Sequence, residues 1–207
     1  MNGKLDFKKQ EKALYLPRGT PELVEVPPMQ YLMLDGCGDP NGEQYKNAVE
    51  VLYAIAYTIK MSKEHPQGWL DYTVPPLEGL WDCGCDGFEL EKRQQWAWTS
   101  MIRQPDFVTQ NVLRKAKETL AVKKPQLDTS GVRLSAYEEG LCVQLMHIGP
   151  YSTEQESIDK IAQFVAQNNL TDECGNDRRH HEIYLSDPRK AAPENLKTIL
   201  RHPVAHK

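Results

Sequence analysis

Apolar residues at Tyr45, Ala48, Val49, Leu52, Ile55, Ala56 and Ile59 recur at three- and four-residue steps, which predicts a helix with one buried face. A shorter stripe, Ile158, Ile161, Ala162 and Val165, predicts a second. Asn41 with Gln44, and Thr153 with Glu156, have capping-box spacing at the two starts. An apolar strand precedes each helix, Tyr31 to Leu34 in one case and Leu141 to Met146 in the other. Each strand ends in a glycine-bearing loop: Asp35-Gly36-Cys37-Gly38-Asp39-Pro40-Asn41, and His147-Ile148-Gly149-Pro150-Tyr151. Two strands follow each helix, Leu77 to Trp81 and Gln95 to Arg103, then Glu182 to Leu185 and Leu196 to Leu200. Between the two sets, Pro105 and Asp106 open a third helix with Phe107, Val108, Val112, Ala116 and Leu120 on its apolar side, ending near Lys124-Pro125.

The order strand, helix, strand, strand is thus written twice. Met101-Ile102-Arg103-Gln104-Pro105 matches Ile199-Leu200-Arg201-His202-Pro203, and Glu78-Gly79-Leu80-Trp81 parallels Glu182-Ile183-Tyr184-Leu185. Neither β-α-β-β unit can bury its helix face alone, so the two are expected to join as a pseudo-twofold α+β domain. An antiparallel sheet would carry the helices on one side and a ligand groove on the other. The boundaries expected are an extended amino-terminal segment at 1–28, with Pro17, Pro21, Pro27 and Pro28, and a single domain at 29–207. Its first half is 29–105, its linking helix 106–124 and its second half 132–207.

Composition narrows the function. At 40% hydrophobic and 26% charged residues, with net charge −4 and no basic stripe, the chain is an ordinary globular protein and no general nucleic-acid binder. No run is long and apolar enough for a bilayer, and the charged start Met1 to Lys12 lacks the apolar core of a signal peptide. Five cysteines without framework spacing fit reduced thiols, so a cytoplasmic location is expected. Cys83-Gly84-Cys85, beside Asp82 and Asp86, has no second pair or histidine at zinc spacing and is read as a loop with two thiols. Neither a metal nor a cofactor is expected, and the glycine loops have no nucleotide-binding spacing.

Two carboxylates and a group of aromatics are the candidates for chemistry. Glu182 lies in a β-branched and aromatic segment, where a half-buried carboxylate is costly without a purpose. The repeat alignment pairs it with Glu78. Facing each other in a pseudo-symmetric groove, the two would bind a cation or divide into an acid and a base; the plainer reading is a pair of surface strand glutamates. All four tryptophans fall between residues 69 and 98. Trp96 and Trp98 share a face of one strand, and Tyr184 shares a face with Glu182. Trp81, by alternation, stands opposite Glu78, so at least one tryptophan is expected under the helices as core. Trp81, Trp96, Trp98, Tyr151 and Tyr184 are the candidate ligand-binding residues. His147 suits a structural role equally well, and the adjacent His180 and His181 should diverge.

Three stretches, Pro75-Pro76-Leu77-Glu78-Gly79-Leu80-Trp81, Met101 to Val108, and His181-Glu182-Ile183-Tyr184-Leu185-Ser186-Asp187-Pro188-Arg189, resemble the GyrI-like small-molecule-binding domain, as do Leu34 to Asn41 and Asp6-Phe7-Lys8-Lys9. The likeness is to stand-alone bacterial members without a DNA-binding partner, and it covers almost the whole chain. It implies the duplicated fold and a central groove for flat, hydrophobic, often cationic xenobiotics. Some stand-alone members hydrolyse cyclopropane-bearing DNA-alkylating compounds inside an aromatic cage, which would make Glu78 and Glu182 the catalytic candidates. Asp82 stands after Trp81 where that subfamily suggests another aromatic. The partner implied is a small molecule, with no direct contact to nucleic acid or membrane; a weak homodimer is left open. A non-catalytic sequestering or sensing module, and a protein-interaction module that inhibits a larger enzyme, stand as alternatives.

Overall fold

The computed structural model describes residues 3–82, 95–175 and 178–207. An antiparallel sheet is formed by β1 (Glu22–Val26), β2 (Met29–Cys37), β3 (Leu77–Asp82), β4 (Ala97–Arg103), β5 (Arg133–Tyr137), β6 (Gly140–Ile148), β7 (Leu170–Asp172), β8 (His180–Tyr184) and β9 (Lys197–His206). The order is β1-β6-β9-β8-β3-β4-β2-β5, with β7 beside β9. It reads the same from both ends once β1 is matched to β5, β6 to β2, β9 to β4 and β8 to β3. The duplicated units therefore meet along β8 and β3.

Chain connectivity forces the sheet to curl. Val26 ends β1 at one side of the order and Met29 begins β2 near the other, yet only two residues join them. Such a link spans on the order of 10 Å. Tyr137 of β5 and Gly140 of β6 repeat the constraint. The concave face so formed holds Tyr31, Met33, Leu80, Met101, Cys142, Ile183 and Ile199.

The opposite face carries the long helices. In α3 (Glu43–Lys60), Ala48, Val51, Leu52, Ile55, Ala56 and Ile59 are buried. All but Ala48, which packs with Trp81 and Trp98, join Leu113, Ala116 and Leu120 of α4 (Gln110–Lys123) over Leu32 and Ile102. Helix α5 (Gln155–Gln167) sets Ile161 and Val165 on Val143, Leu145 and Leu200. Each fully buried Leu or Ile of these layers contributes about 1.5–3 kcal/mol. Ala162, expected in the α5 stripe, is exposed, and Phe164 packs on the cluster instead.

The helix starts differ from the capping boxes in the sequence. Gly42 and Glu154 occupy the N-cap positions of α3 and α5 without a side-chain cap bond, while Thr109 caps α4 by accepting from the Val112 N–H. Gly38 and Gly149 follow β2 and β6 with φ of 110° and 143°, where a side chain would be strained.

The amino-terminal segment, expected as a surface extension, is built into the fold. Strand β1 pairs with β6, and helices α1 (Phe7–Gln10) and α2 (Lys12–Tyr15) place Phe7, Leu14 and Tyr15 in the concave-face cluster. Polar bonds hold them there. Arg103 donates from both Nη atoms to Glu11 at 2.5 and 2.9 Å, and Gln144 and Arg201 donate to the carbonyls of Ala13 and Leu14. The face expected to hold a groove is thus taken up by the chain's own beginning.

Candidate functional site

The β3–β8 ladder decides where each carboxylate goes. Glu78 pairs with Ile183 and Glu182 with Gly79, so by alternation the two glutamates project from opposite faces. Glu78 points into the concave face and Glu182 towards the helices. The facing pair expected from the repeat is not formed, because the alignment of the copies is one residue out of phase with the ladder.

Glu78 is fully buried in a closed polar network. It accepts from the Tyr15 hydroxyl at 3.3 Å and meets His181 Nε2 at 3.0 Å. The other His181 nitrogen lies 2.9 Å from Glu139, which also accepts from Arg201 at 2.8 Å. Burial opposes the imidazolium, but Glu139 and the hydrogen bonds to Glu139 and Glu78 outweigh it and push His181 up to about 9. Burial likewise opposes the Glu139 carboxylate, and His181 and Arg201 overcome it, holding Glu139 down to about 2. Both His181 and Arg201 bond the same Glu139 oxygen, and the other Glu139 oxygen is buried without a hydrogen-bond partner.

Glu182 sits among rings. Its side chain is 12% exposed, and His180 Nε2 lies 3.2 Å from its Oε1. Burial lowers the pKa of His180, so a neutral ring with its proton on Nε2 donates to Glu182. The Tyr184 hydroxyl, two residues along the same face, also bonds Glu182 and accepts from Trp81 Nε1 at 3.0 Å. Burial and the Glu182 charge raise the Tyr184 pKa far above its ordinary value, so this hydroxyl keeps its proton. Tyr45, from the first turn of α3, stacks on Trp81 at 5.5 Å and meets Trp98 edge-on at 5.1 Å. Trp96 contacts Trp81 at 6.1 Å, and Tyr151 approaches Tyr184 edge-on at 6.1 Å.

Small residues make room for this cluster. A Cβ on Gly36 would stand 2.2 Å from the Trp98 ring, and one on Gly79 would stand 2.9 Å from Trp81 Nε1. Trp81 and Trp98 are both buried on the helix-bearing side, whereas Tyr151, before α5, is 42% exposed at the rim. Burial and Glu182 push Tyr151 up to about 12.

The structure adds three residues to those singled out in sequence. Tyr45 reads there as one more apolar position of a helix stripe, and His180 as half of a diverging pair. Glu154 gives no signal beyond its nearness to Tyr151. One of its oxygens is buried without a hydrogen-bond partner, and so is Trp98 Nε1. His147 is structural: its Nδ1 lies 2.9 Å from Ser157 Oγ on α5.

Among the described residues, Asp172, Cys174 and His202 bring ligand atoms within 4.8 Å of one another and could hold a metal ion. Asp172 already accepts from the Cys174 N–H and lies 2.9 Å from His202 Nδ1. Cys37, Cys142 and Cys174 are outside any disulfide, and the Cys83–Cys85 loop lies outside the described residues. No helix among the described residues is long and apolar enough to cross a membrane.

A model of the GyrI-like small molecule binding domain matches residues 19–205. No curated protein matches the chain. Among solved structures, a conserved uncharacterised protein of Listeria innocua is 55% identical, with a TM-score of 0.93 over 98% of this chain and 100% of its own. A protein of Listeria innocua described as a hydrolase is 52% identical, with a TM-score of 0.90 over 98% of this chain and 100% of its own. The C-terminal domain of EcmrR shares the fold at 11% identity, with a TM-score of 0.56 over 91% of this chain and 98% of its own. With the model spanning both β-α-β-β units and the cluster where they meet, the chain belongs to the family of GyrI-like small-molecule-binding domains.

Proposed function

We propose that the aromatic cluster over β8 and β3, between α3 and the start of α5, binds flat apolar or cationic xenobiotics, and that Glu182 there activates water to open a strained cyclopropane ring. The observation that carries this reading is the environment of Glu182. It is a nearly buried carboxylate, oriented by His180 and Tyr184 and surrounded by Trp81, Tyr45, Trp98 and Tyr151. Such rings stack on a planar molecule, and the carboxylate supplies a charge for a cation or a base for water. The 52% identity to a protein described as a hydrolase supports the catalytic part.

The step needs no protein nucleophile. In a spirocyclopropane conjugated to a dienone, water attacks a ring methylene as Glu182 takes its proton. The bond from that methylene to the spiro carbon breaks, and its electron pair passes through the dienone to the carbonyl oxygen. Protonation there gives a phenol, and the sum is the addition of one water. Tyr184 and His180 hold Glu182 in one orientation, while the rings exclude bulk solvent. Destroying such an alkylator before it reaches DNA would protect the cell. The thiols of Cys37, Cys142 and Cys174 suit a reducing cytoplasm.

The test is incubation of the protein with a spirocyclopropane alkylator, followed by mass spectrometry. A product heavier by one water, lost in Glu182→Gln, is expected. An unchanged mass at saturating protein rejects the hydrolase; saturable quenching of tryptophan emission in the same sample would then identify a binding module.

A further inference from the structure

Where β7 ends beside β9, three side chains able to ligate a metal converge from two parts of the chain. Asp172 is the last residue of β7 and pairs with Val204 of β9. Cys174 follows in a turn, where Gly175 has a φ of 99° and donates its N–H to the Arg178 carbonyl. His202 stands on β9 between the stretch that pairs with β8 and the stretch that pairs with β7. One ligand atom from each residue lies within 4.8 Å of the other two. None of the three has a part in the proposed ring opening.

His202 sets this place apart from an ordinary Asp–His bond. The residue is 7% exposed, and its Nδ1 lies 2.9 Å from Asp172 Oδ2, yet its Nε2 is buried without a hydrogen-bond partner. A purely structural imidazole at that depth has both nitrogens satisfied, as His147 and His181 do. Only Asp172 fixes the proton of His202. An ion that takes the place of that proton displaces one hydrogen bond, and no second partner opposes the shift of the ring proton to Nε2. The Asp172 side chain is 35% exposed and Cys174 is half-buried, so an ion reaches the triad from solvent.

The donor set selects the ion. A thiolate, an imidazole and a carboxylate suit zinc, whereas magnesium and calcium take oxygen alone. Tetrahedral zinc with bonds of about 2.0–2.3 Å holds its ligand atoms roughly 3.3–3.6 Å apart, so closing the triad needs shifts of only about 1 Å. Charge fits as well. The neighbouring Glu173 and Arg178 are ion-paired with each other, and a divalent ion on one thiolate and one carboxylate makes a neutral centre, which a half-buried place tolerates.

We propose that Asp172, Cys174 and His202 form a zinc site that ties the end of β7 and the turn after it to β9. Among the described residues no fourth side chain joins the set, and water completes the tetrahedron. The balance is simple: the Cys174 S–H bond breaks and its proton passes to solvent, His202 binds as the neutral ring, and the Asp172 carboxylate exchanges a hydrogen bond for the ion. The site stands whether or not the aromatic cluster catalyses.

Cobalt(II) tests this, because its spectrum reports its ligands, with zinc to displace it. Cys37→Ser/Cys83→Ser/Cys85→Ser removes the other thiols outside the buried Cys142. This reduced variant should bind one cobalt per chain, with the intense visible bands of a tetrahedral ion and a thiolate-to-cobalt charge-transfer band. Zinc should abolish both. Adding Cys174→Ser should remove the charge-transfer band and weaken zinc binding more than about a hundredfold, beyond the loss of a mere outer partner. His202→Gln should weaken it as much. Zinc should also raise the urea midpoint of the wild type and leave that of Cys174→Ser where it was, a variant that keeps the size of the side chain. A spectrum without the charge-transfer band, or a band that survives Cys174→Ser, overturns the site. Zinc affinity undiminished in His202→Gln overturns it equally.

Discussion

Glu78 and Glu182 lie one step apart across the β3–β8 ladder and point to opposite faces of the sheet. One belongs to the network that closes the concave side, and the other to the aromatic cluster beneath the helices. Their substitutions should therefore separate cleanly. Glu182→Gln should leave the unfolding midpoint near that of the wild type and slow ring opening by about 10²–10⁴-fold, the usual share of a general base. Glu78→Ala should leave the chemical step near the wild-type rate and cost about 3–5 kcal/mol, because His181 loses a buried partner. Urea unfolding beside single-turnover kinetics reads both. A Glu78 variant that is stable but inactive would move the chemistry to the other face.

Tyr184 joins Trp81 to Glu182 through one hydroxyl. Tyr184→Phe removes an acceptor and a donor while keeping the ring. Ring opening should slow about tenfold, with KM little changed, since the loss is of one hydrogen bond to the reacting base. Trp98→Ala should act the other way, raising KM more than it lowers kcat, because stacking holds the ground and transition states alike. Steady-state kinetics on the two variants checks the split.

Gly36 lies against the six-membered ring of Trp98, and Gly36→Ala would drive a methyl into that ring. Trp98 must then shift in a site already filled by Tyr45 and Ala48. A loss of about 1–3 kcal/mol is expected, together with a changed tryptophan emission and weaker quenching by a flat ligand. Unaltered emission would mean that the ring is not fixed where Gly36 meets it.

The pH dependence of stability follows from three buried groups. His181 is raised from 6.5 to about 9, so its contribution is complete below pH 6.5 and is lost as the pH rises through 9. Glu139 is lowered from 4.5 to about 2, so its contribution is complete above pH 4.5 and is lost as the pH falls through 2. Glu154 is raised from 4.5 to about 9, which makes the folded state lose ground as the pH climbs between those values. Stability should therefore be greatest in mildly acidic solution and fall towards pH 9. Glu154→Gln should flatten that fall and be more stable than the wild type at pH 8. Urea midpoints at pH 5, 7 and 9 for both proteins give the comparison.

The two helix stripes, the strands around them and the repeated order are properties of neighbouring residues, so the sequence carried them without help from tertiary contacts. Tyr45 to Ile59 buries one side of α3 because three- and four-residue steps put those side chains on one face. The pairing of Tyr184 with Glu182 was equally local, being two positions along one strand. Trp81 and Trp98, as well as Trp96, reach the same cluster from the crowded segment in which the sequence places them.

What the tertiary structure alone decided was register and closure. Met1 to Pro28 reads as an extension because nothing local shows that Tyr15 will meet Glu78, or Glu11 meet Arg103, across the sheet. Glu154 has no motif, and it matters only because α5 starts over β8. Glu78 and Glu182 occupy matching places in two stretches of similar sequence, yet a one-residue step between strands a hundred positions apart sends them to different faces. Side-chain alternation is fixed within a strand, but which faces of two strands coincide is fixed by the hydrogen bonds between them. Those form only when the halves meet.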